Sequence, residues 1–179
     1  MKFSYWLLKL KIWITTVGWS KFAVINTIWA ACFNKEEQFI PEKVILLHNG
    51  HENPDIAENV ADVIDWVRRI LKVYGIDNPI FEEVPIREAE INSYRDIYLK
   101  LINKIEKDKE CINETAIDLT PGRKFMSSIA MAVGLKKRKF IKKLYYLHLN
   151  FPEYLNYPYI KIPFVFQKLI NILEIYDDI

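Results

Sequence analysis

Ala116-Ile117-Asp118-Leu119-Thr120-Pro121-Gly122-Arg123-Lys124-Phe125-Met126-Ser127 is the stretch on which the architecture turns. It reads as the end of a buried strand, a tight polar turn with two cations, and an amphipathic helix. That helix carries Met126, Ile129, Ala130 and Val133 inward and ends at Gly134. Small residues at such a turn let backbone amides face outward, and the helix start adds a partial positive charge. Arg123 and Lys124 place full charges beside it. On these residues alone two readings stand: a phosphate-binding elbow, or an ordinary strand-to-helix loop with two solvated cations. Thr120 fits the capping position of the helix and Pro121 its first turn.

Working outward, strand and helix signals alternate. Lys11 to Val17 is a β-branched run that stops at Gly18-Trp19-Ser20, and a helix from Lys21 to Phe33 follows. That helix is apolar almost all round, through Phe22, Val24, Ile25, Ile28, Trp29 and Ala31. Such a helix needs cover on two sides, from a sheet and from something else such as a second subunit. Lys43 to Leu47 is a short buried strand ending in His48-Asn49-Gly50. The next helix is marked at both ends, by Asn53 as cap with Pro54 after it, and by Gly75 as terminator. Ile80 to Ile86 reads as a weaker strand, since it contains Pro85. Tyr94, Ile97, Tyr98, Leu101, Ile102 and Ile105 form another helical stripe before the strand Thr115 to Leu119. A basic tract, Lys136 to Lys143, reads as a solvated face, with RNA binding as the alternative, and precedes the strand Leu144 to Leu149.

Five strands separated by single helices demand crossover connections, hence a Rossmann-like, doubly wound, mostly parallel α/β sheet. After Asn150 the texture changes to aromatics and prolines, and Phe164 to Tyr176 reads as a C-terminal amphipathic helix. The expected organisation is residues 1–150 as one Rossmann-like domain, with 151–179 as an extension packed on it.

Composition narrows the chemistry. A chain of 179 residues, 51% hydrophobic, has material for one well-buried core. Its net charge of +2 argues against a non-specific DNA coater, so any anion site must be local. Cys32 and Cys111 have no metal-ligand company and suit a reducing interior, with a disulfide left open. His48, His51 and His148 form no zinc pattern, so no metal is expected. Lys9 and Lys11 interrupt the apolar start, and the uncharged run Phe22 to Asn34 is shorter than the ~20 residues a bilayer requires. The expectation is a cytoplasmic protein without a membrane anchor.

Ligands of open α/β sheets collect at the carboxyl ends of the strands. Those ends here are Gly18-Trp19-Ser20, His48-Asn49, Thr120 to Lys124, and His148 to Asn150. There is no GxGxxG after the first strand, no Walker A loop and no GxSxG elbow, which argues against a dinucleotide dehydrogenase, a P-loop enzyme and a serine hydrolase. A metabolic enzyme using a metal-bound nucleotide should place paired carboxylates at strand ends, and only Asp118 is so placed.

In two places the chain resembles the CRISPR-associated Rossmann-fold (CARF) domain, a sensor of cyclic oligoadenylate. One is the strand and Ser/Thr-bearing turn Ile14-Thr15-Thr16-Val17-Gly18-Trp19-Ser20, a loose match. The other, more specific, is Asp118 to Met126, which resembles an Asp-x-Thr-Gly-Gly-Thr/Arg-Lys-x-Met pattern. Pro121 stands where that pattern has glycine and removes one amide donor. The likeness covers Lys11 to Asn150. Roughly 30 residues follow, fewer than a nuclease or winged-helix effector domain needs. They contain no Arg or His for an Arg-x4-6-His ribonuclease signature.

A free-standing domain of this kind resembles a ring nuclease, which degrades the cyclic messenger and ends the antiviral response. The resemblance implies a homodimer gripping cyclic tetra-adenylate, without cofactor, DNA or membrane. Lys124 and Ser20 would be the catalytic pair. Lys124 would stabilise the phosphorane, and Ser20 would position the 2′-hydroxyl or a phosphate oxygen. Gly18, Trp19, His48, Asn49, Thr120, Pro121, Gly122 and Arg123 would bind ligand. Trp19 or Tyr146 would stack on adenine, or serve as a core aromatic. Bland roles stand beside these: Ser20 as a helix cap, His48 bonded to a neighbouring loop, His148 as a core residue, and Asp118 orienting the turn. A non-catalytic sensor acting through a partner protein is the alternative function, because binding and cleaving pockets need the same charges.

Overall fold

The computed structural model describes residues 10–87, 91–107 and 114–177. Five parallel strands alternate with four helices: β1 (Lys11–Thr16), α1 (Lys21–Phe33), β2 (Lys43–His48), α2 (Pro54–Val73), β3 (Ile80–Pro85), α3 (Ile91–Lys107), β4 (Glu114–Asp118), α4 (Lys124–Lys136) and β5 (Ile141–Leu149). Short 3-10 turns then lead into β6 (Gln167–Asn171) and α5 (Ile172–Asp177). Cys111 and residues 1–9 of the apolar lead-in lie outside the described residues.

The sheet order is β3-β2-β1-β4-β5-β6, with β6 alone antiparallel. The chain winds outward from β1 to β3, then crosses back through α3 to β4, leaving β1 and β4 side by side where the winding reverses. Adjacent strands from opposite windings send their connections to opposite faces, which opens a crevice between their carboxyl ends.

Alternation in the strands feeds two cores. Trp13, Val44 and Leu46 face α1 and α2, while Ile12, Ile14, Ile45 and Ile117 face α3 and α4. Trp13 is fully buried and stacks on Tyr145, ring centroids 5.5 Å apart. Pro85 ends β3 at the sheet edge, where a missing backbone donor costs no ladder bond. Gly75, at φ 89, closes α2 as its position suggests.

Several expectations are corrected. Phe164 to Tyr176 is no single helix: Gln167–Asn171 pairs with β5 as a sixth strand. Gln167 and Asn171 face inward, against the expected polarity. Their amides find partners there: Gln167 Nε2 donates to the Tyr159 and Ile162 carbonyls, while its Oε1 has none among the described residues, and Asn171 Oδ1 accepts from Leu144 N–H. β5 begins at Ile141, inside the tract expected to be a solvated basic face. Gly134 does not end α4 but lies within it, where a Cβ would come 2.4 Å from Leu144 Cδ2. It permits close approach of helix and strand. His148 is exposed rather than core, on the outward phase of β5 beside Tyr146.

The second cover of α1 is the chain's own tail. Asn26 donates to the Tyr157 carbonyl and accepts from Tyr159 N–H, at 2.9 and 2.8 Å, while Trp29 packs on Tyr159.

Candidate functional site

The crevice between β1 and β4 holds a cavity of about 400 Å³. The β1–α1 loop contributes Gly18, Trp19 and Ser20, and the β4–α4 turn contributes Thr120, Pro121, Gly122 and Arg123. Asn49, after β2, closes one side; Tyr146 of β5 and Leu155 of the tail close the other. Two stretches separated by a hundred residues in sequence therefore meet across one space. Trp19 is 64% exposed and Tyr146 38%, so both present aromatic faces at the rim.

The electrostatics come from helix ends and one cation. Ser20 immediately precedes α1 and Arg123 immediately precedes α4, and neither residue's side chain caps its helix. Neither helix has an acidic residue in its first turn. Their first-turn amides leave partial positive charge at the helix starts, beside the Arg123 guanidinium. Gly122 takes φ 93, a conformation open to glycine, and sits against Met126 and Thr16.

Thr120 does not cap α4, and Pro121 precedes the helix rather than opening it. The Thr120 hydroxyl oxygen accepts from Leu147 N–H at 2.8 Å and from Thr27 Oγ1 at 3.1 Å. It ties the turn to β5 and α1, a tertiary use that displaces the local one.

Below the turn, Asp118 is buried and accepts from Thr120 N–H at 2.9 Å and from Thr15 Oγ1 at 3.1 Å. Desolvation pushes its carboxyl up to about 7, against those hydrogen bonds. It braces the turn from beneath and lines no part of the cavity. On the other side of β1, Thr16 Oγ1 lies 2.7 Å from the Tyr94 hydroxyl, linking the cavity floor to α3.

Two predicted residues fall outside the lining. His48 is buried; its Nδ1 accepts from Gly50 N–H at 3.1 Å and its Nε2 faces Glu83 at 3.1 Å. Burial lowers its pKa more than Glu83 raises it. Lys124, the first residue of α4, is exposed and lines a neighbouring depression that shares Thr120, Gly122 and Tyr146 with the main cavity. Ser20 lines the cavity, and its Oγ is buried with no hydrogen-bond partner among the described residues.

One participant had no signal in the sequence. Asn59 of α2 donates to the carbonyls of Gly18 (3.1 Å) and Trp19 (3.2 Å). It flanks the apolar stripe of α2, where nothing in the spacing separates it from a solvated residue. Among the described residues no group of three metal-ligating side chains occurs, and no helix is long and apolar enough to cross a membrane.

No known family matches the sequence, and no curated protein matches it. Solved structures do. Csm6 of Enterococcus italicus, bound to cyclic hexa-2′-fluoro-hexa-dAMP, aligns over 94% of this chain with TM-score 0.61 and 15% identity. Can2 from Sulfobacillus thermosulfidooxidans, in complex with cyclic tetra-adenylate, aligns over 78% with TM-score 0.45 and 13% identity, covering 32% of that protein. This chain spans 44% of the length of that Csm6. At such identity the likeness concerns the fold, and the chain has a Rossmann-like α/β fold of the CARF type.

Proposed function

We propose that this chain binds cyclic oligoadenylate in the cavity between β1 and β4 and opens the ring, as a ring nuclease that switches off type III CRISPR signalling. One observation carries the reading: two helix starts without side-chain caps and Arg123 converge on one cavity, in a fold shared with a Csm6 solved around a cyclic nucleotide.

The ligand is cyclic tetra-adenylate held by a homodimer. A cavity of about 400 Å³ lies toward the small end of ligand pockets and is too small for four linked nucleotides. A ring with approximate two-fold symmetry suits two copies presenting the same groups. Residues 151–179 belong with the domain as an extension, and the protein works in the cytoplasm without metal, cofactor, DNA or membrane.

Arg123 and the helix starts grip phosphates, Gly18, Asn49 and the Thr120-Pro121-Gly122 turn shape the wall, and Trp19 and Tyr146 stack adenine. His48 acts behind Asn49, fixing the end of β2. In cleavage, a ribose 2′-oxygen attacks its own phosphorus as the bond to the 5′-oxygen breaks. The 2′-hydroxyl proton passes to solvent, and the leaving oxygen takes one from water. The product is a linear chain ending in a 2′,3′-cyclic phosphate. Ser20 orients the attacking hydroxyl and Lys124 stabilises the phosphorane, so positioning and electrostatics supply the catalysis.

Lys124's place outside the cavity lining favours a second reading: the same ligand bound without cleavage, its signal passed to a partner protein. Incubating the protein with cyclic tetra-adenylate in excess chelator separates them. Linear product with a cyclic end supports the enzyme, tight binding of an intact ring supports the sensor, and no binding removes both. For the enzyme, Lys124→Ala lowers cleavage by about 100-fold or more with the fold intact. A wild-type rate in that variant refutes the role.

A further inference from the structure

We propose that Asn59 is a positioning residue for this site: its side-chain amide sets the direction in which the β1–α1 loop presents backbone N–H groups to a ligand phosphate. The proposal rests on the reading of the cavity as a cyclic oligoadenylate site.

Asn59 Nδ2 holds two successive carbonyls, Gly18 O at 3.1 Å and Trp19 O at 3.2 Å. All described peptide bonds are trans. In a planar trans peptide the N–H points opposite to its C=O. Holding both carbonyls toward α2 therefore turns the N–H groups of Trp19 and Ser20 away from α2. Neither amide is taken up by a described backbone carbonyl. Successive amides pointing one way form an anion-binding concavity, here at the start of α1. Without Asn59 either peptide is free to flip, and a flipped peptide aims a carbonyl oxygen where a phosphate would sit.

A second tie between these helices separates positioning from docking. Lys21 of α1 pairs with Asp62 of α2 without touching the loop carbonyls. Asp62→Asn loosens the same helix pair and leaves Asn59 in place.

The test measures the Kd for cyclic tetra-adenylate and the Tm of wild type, Asn59→Ala, Asn59→Leu and Asp62→Asn. Both Asn59 variants are expected to bind about tenfold or more weakly. Asp62→Asn is expected to lower Tm while its Kd stays within about twofold. Amide hydrogen exchange on the wild type adds a readout that needs no variant to fold: ligand is expected to protect Trp19 and Ser20. Wild-type affinity in the Asn59 variants, an equal loss in Asp62→Asn, or unprotected amides in a ligand-bound wild type overturns the proposal alone. A wild type that binds no ring overturns the reading of the site and the proposal with it.

Discussion

The start of α2 and the starts of α1 and α4 solve the same physical problem in opposite ways. At α2 the Asn53 side chain accepts from Asp55 N–H at 3.0 Å, Pro54 fills a position that needs no donor, and Asp55 adds negative charge to the first turn. That end satisfies itself. At α1 and α4 the residues before the helix, Ser20 and Arg123, leave the first-turn amides without a side-chain cap. Both of these ends border the cavity, and support comes from elsewhere: Asn59 holds the loop before α1, while Asp118 and Thr120 hold the turn before α4. A helix end completed by its own residues serves stability. One left incomplete and braced from behind keeps its first-turn amides open to an anion.

The contrast breaks most visibly if an open end is closed. Ser20→Asp places a carboxylate at the start of α1, where it complements the helix and repels phosphate. Affinity for cyclic tetra-adenylate should fall by about 100-fold or more, while unfolding free energy rises by about 0.5–1 kcal/mol. Titration calorimetry and urea melts read the two effects, and unchanged affinity would detach α1 from the site.

Next in size is the brace beneath α4. Asp118 moves from 3.8 in its ordinary setting to about 7 in the fold, mainly through desolvation. The folded state thus favours the protonated carboxyl. Its contribution is complete below pH 3.8 and is lost as pH rises to about 7, by an amount on the order of a few kcal/mol. Asp118→Asn should remove that slope, so the variant gains on wild type across this window in urea midpoints. A difference independent of pH would show a solvated carboxyl instead.

The smallest effect belongs to the closed end. Asn53→Ala should cost about 1 kcal/mol of stability and leave ligand affinity within about twofold. Thermal melts beside the calorimetry check both. A loss of affinity would make the α2 start part of the site and erase the contrast.

The sequence by itself determined the alternation of five strands with four helices, the caps of α2, and most of the strand ends that border the cavity. Each depends on neighbours within a turn or a strand: apolar residues at three and four in α2 and α3, unbroken apolar runs in β1 and β2, and Asn-Pro and Gly at helix limits. The Asp118 to Met126 stretch also announced its turn, because the strand, the small residues and the cations are contiguous. Tertiary structure decided what depends on partners distant in the chain. Gln167 and Asn171 face inward where the Tyr159 and Ile162 carbonyls accept from the Gln167 Nε2 and Leu144 N–H donates to Asn171, so the polarity of β6 misleads when read locally. Thr120 left its expected cap for β5 and α1, His48 turned to Glu83, and Lys124 stayed on the outer side of the turn. Asn59 found its partners in two carbonyls some forty positions away. Periodicity reports which face of an element is buried; which polar atoms meet across the crevice is fixed only when β1 and β4 lie side by side.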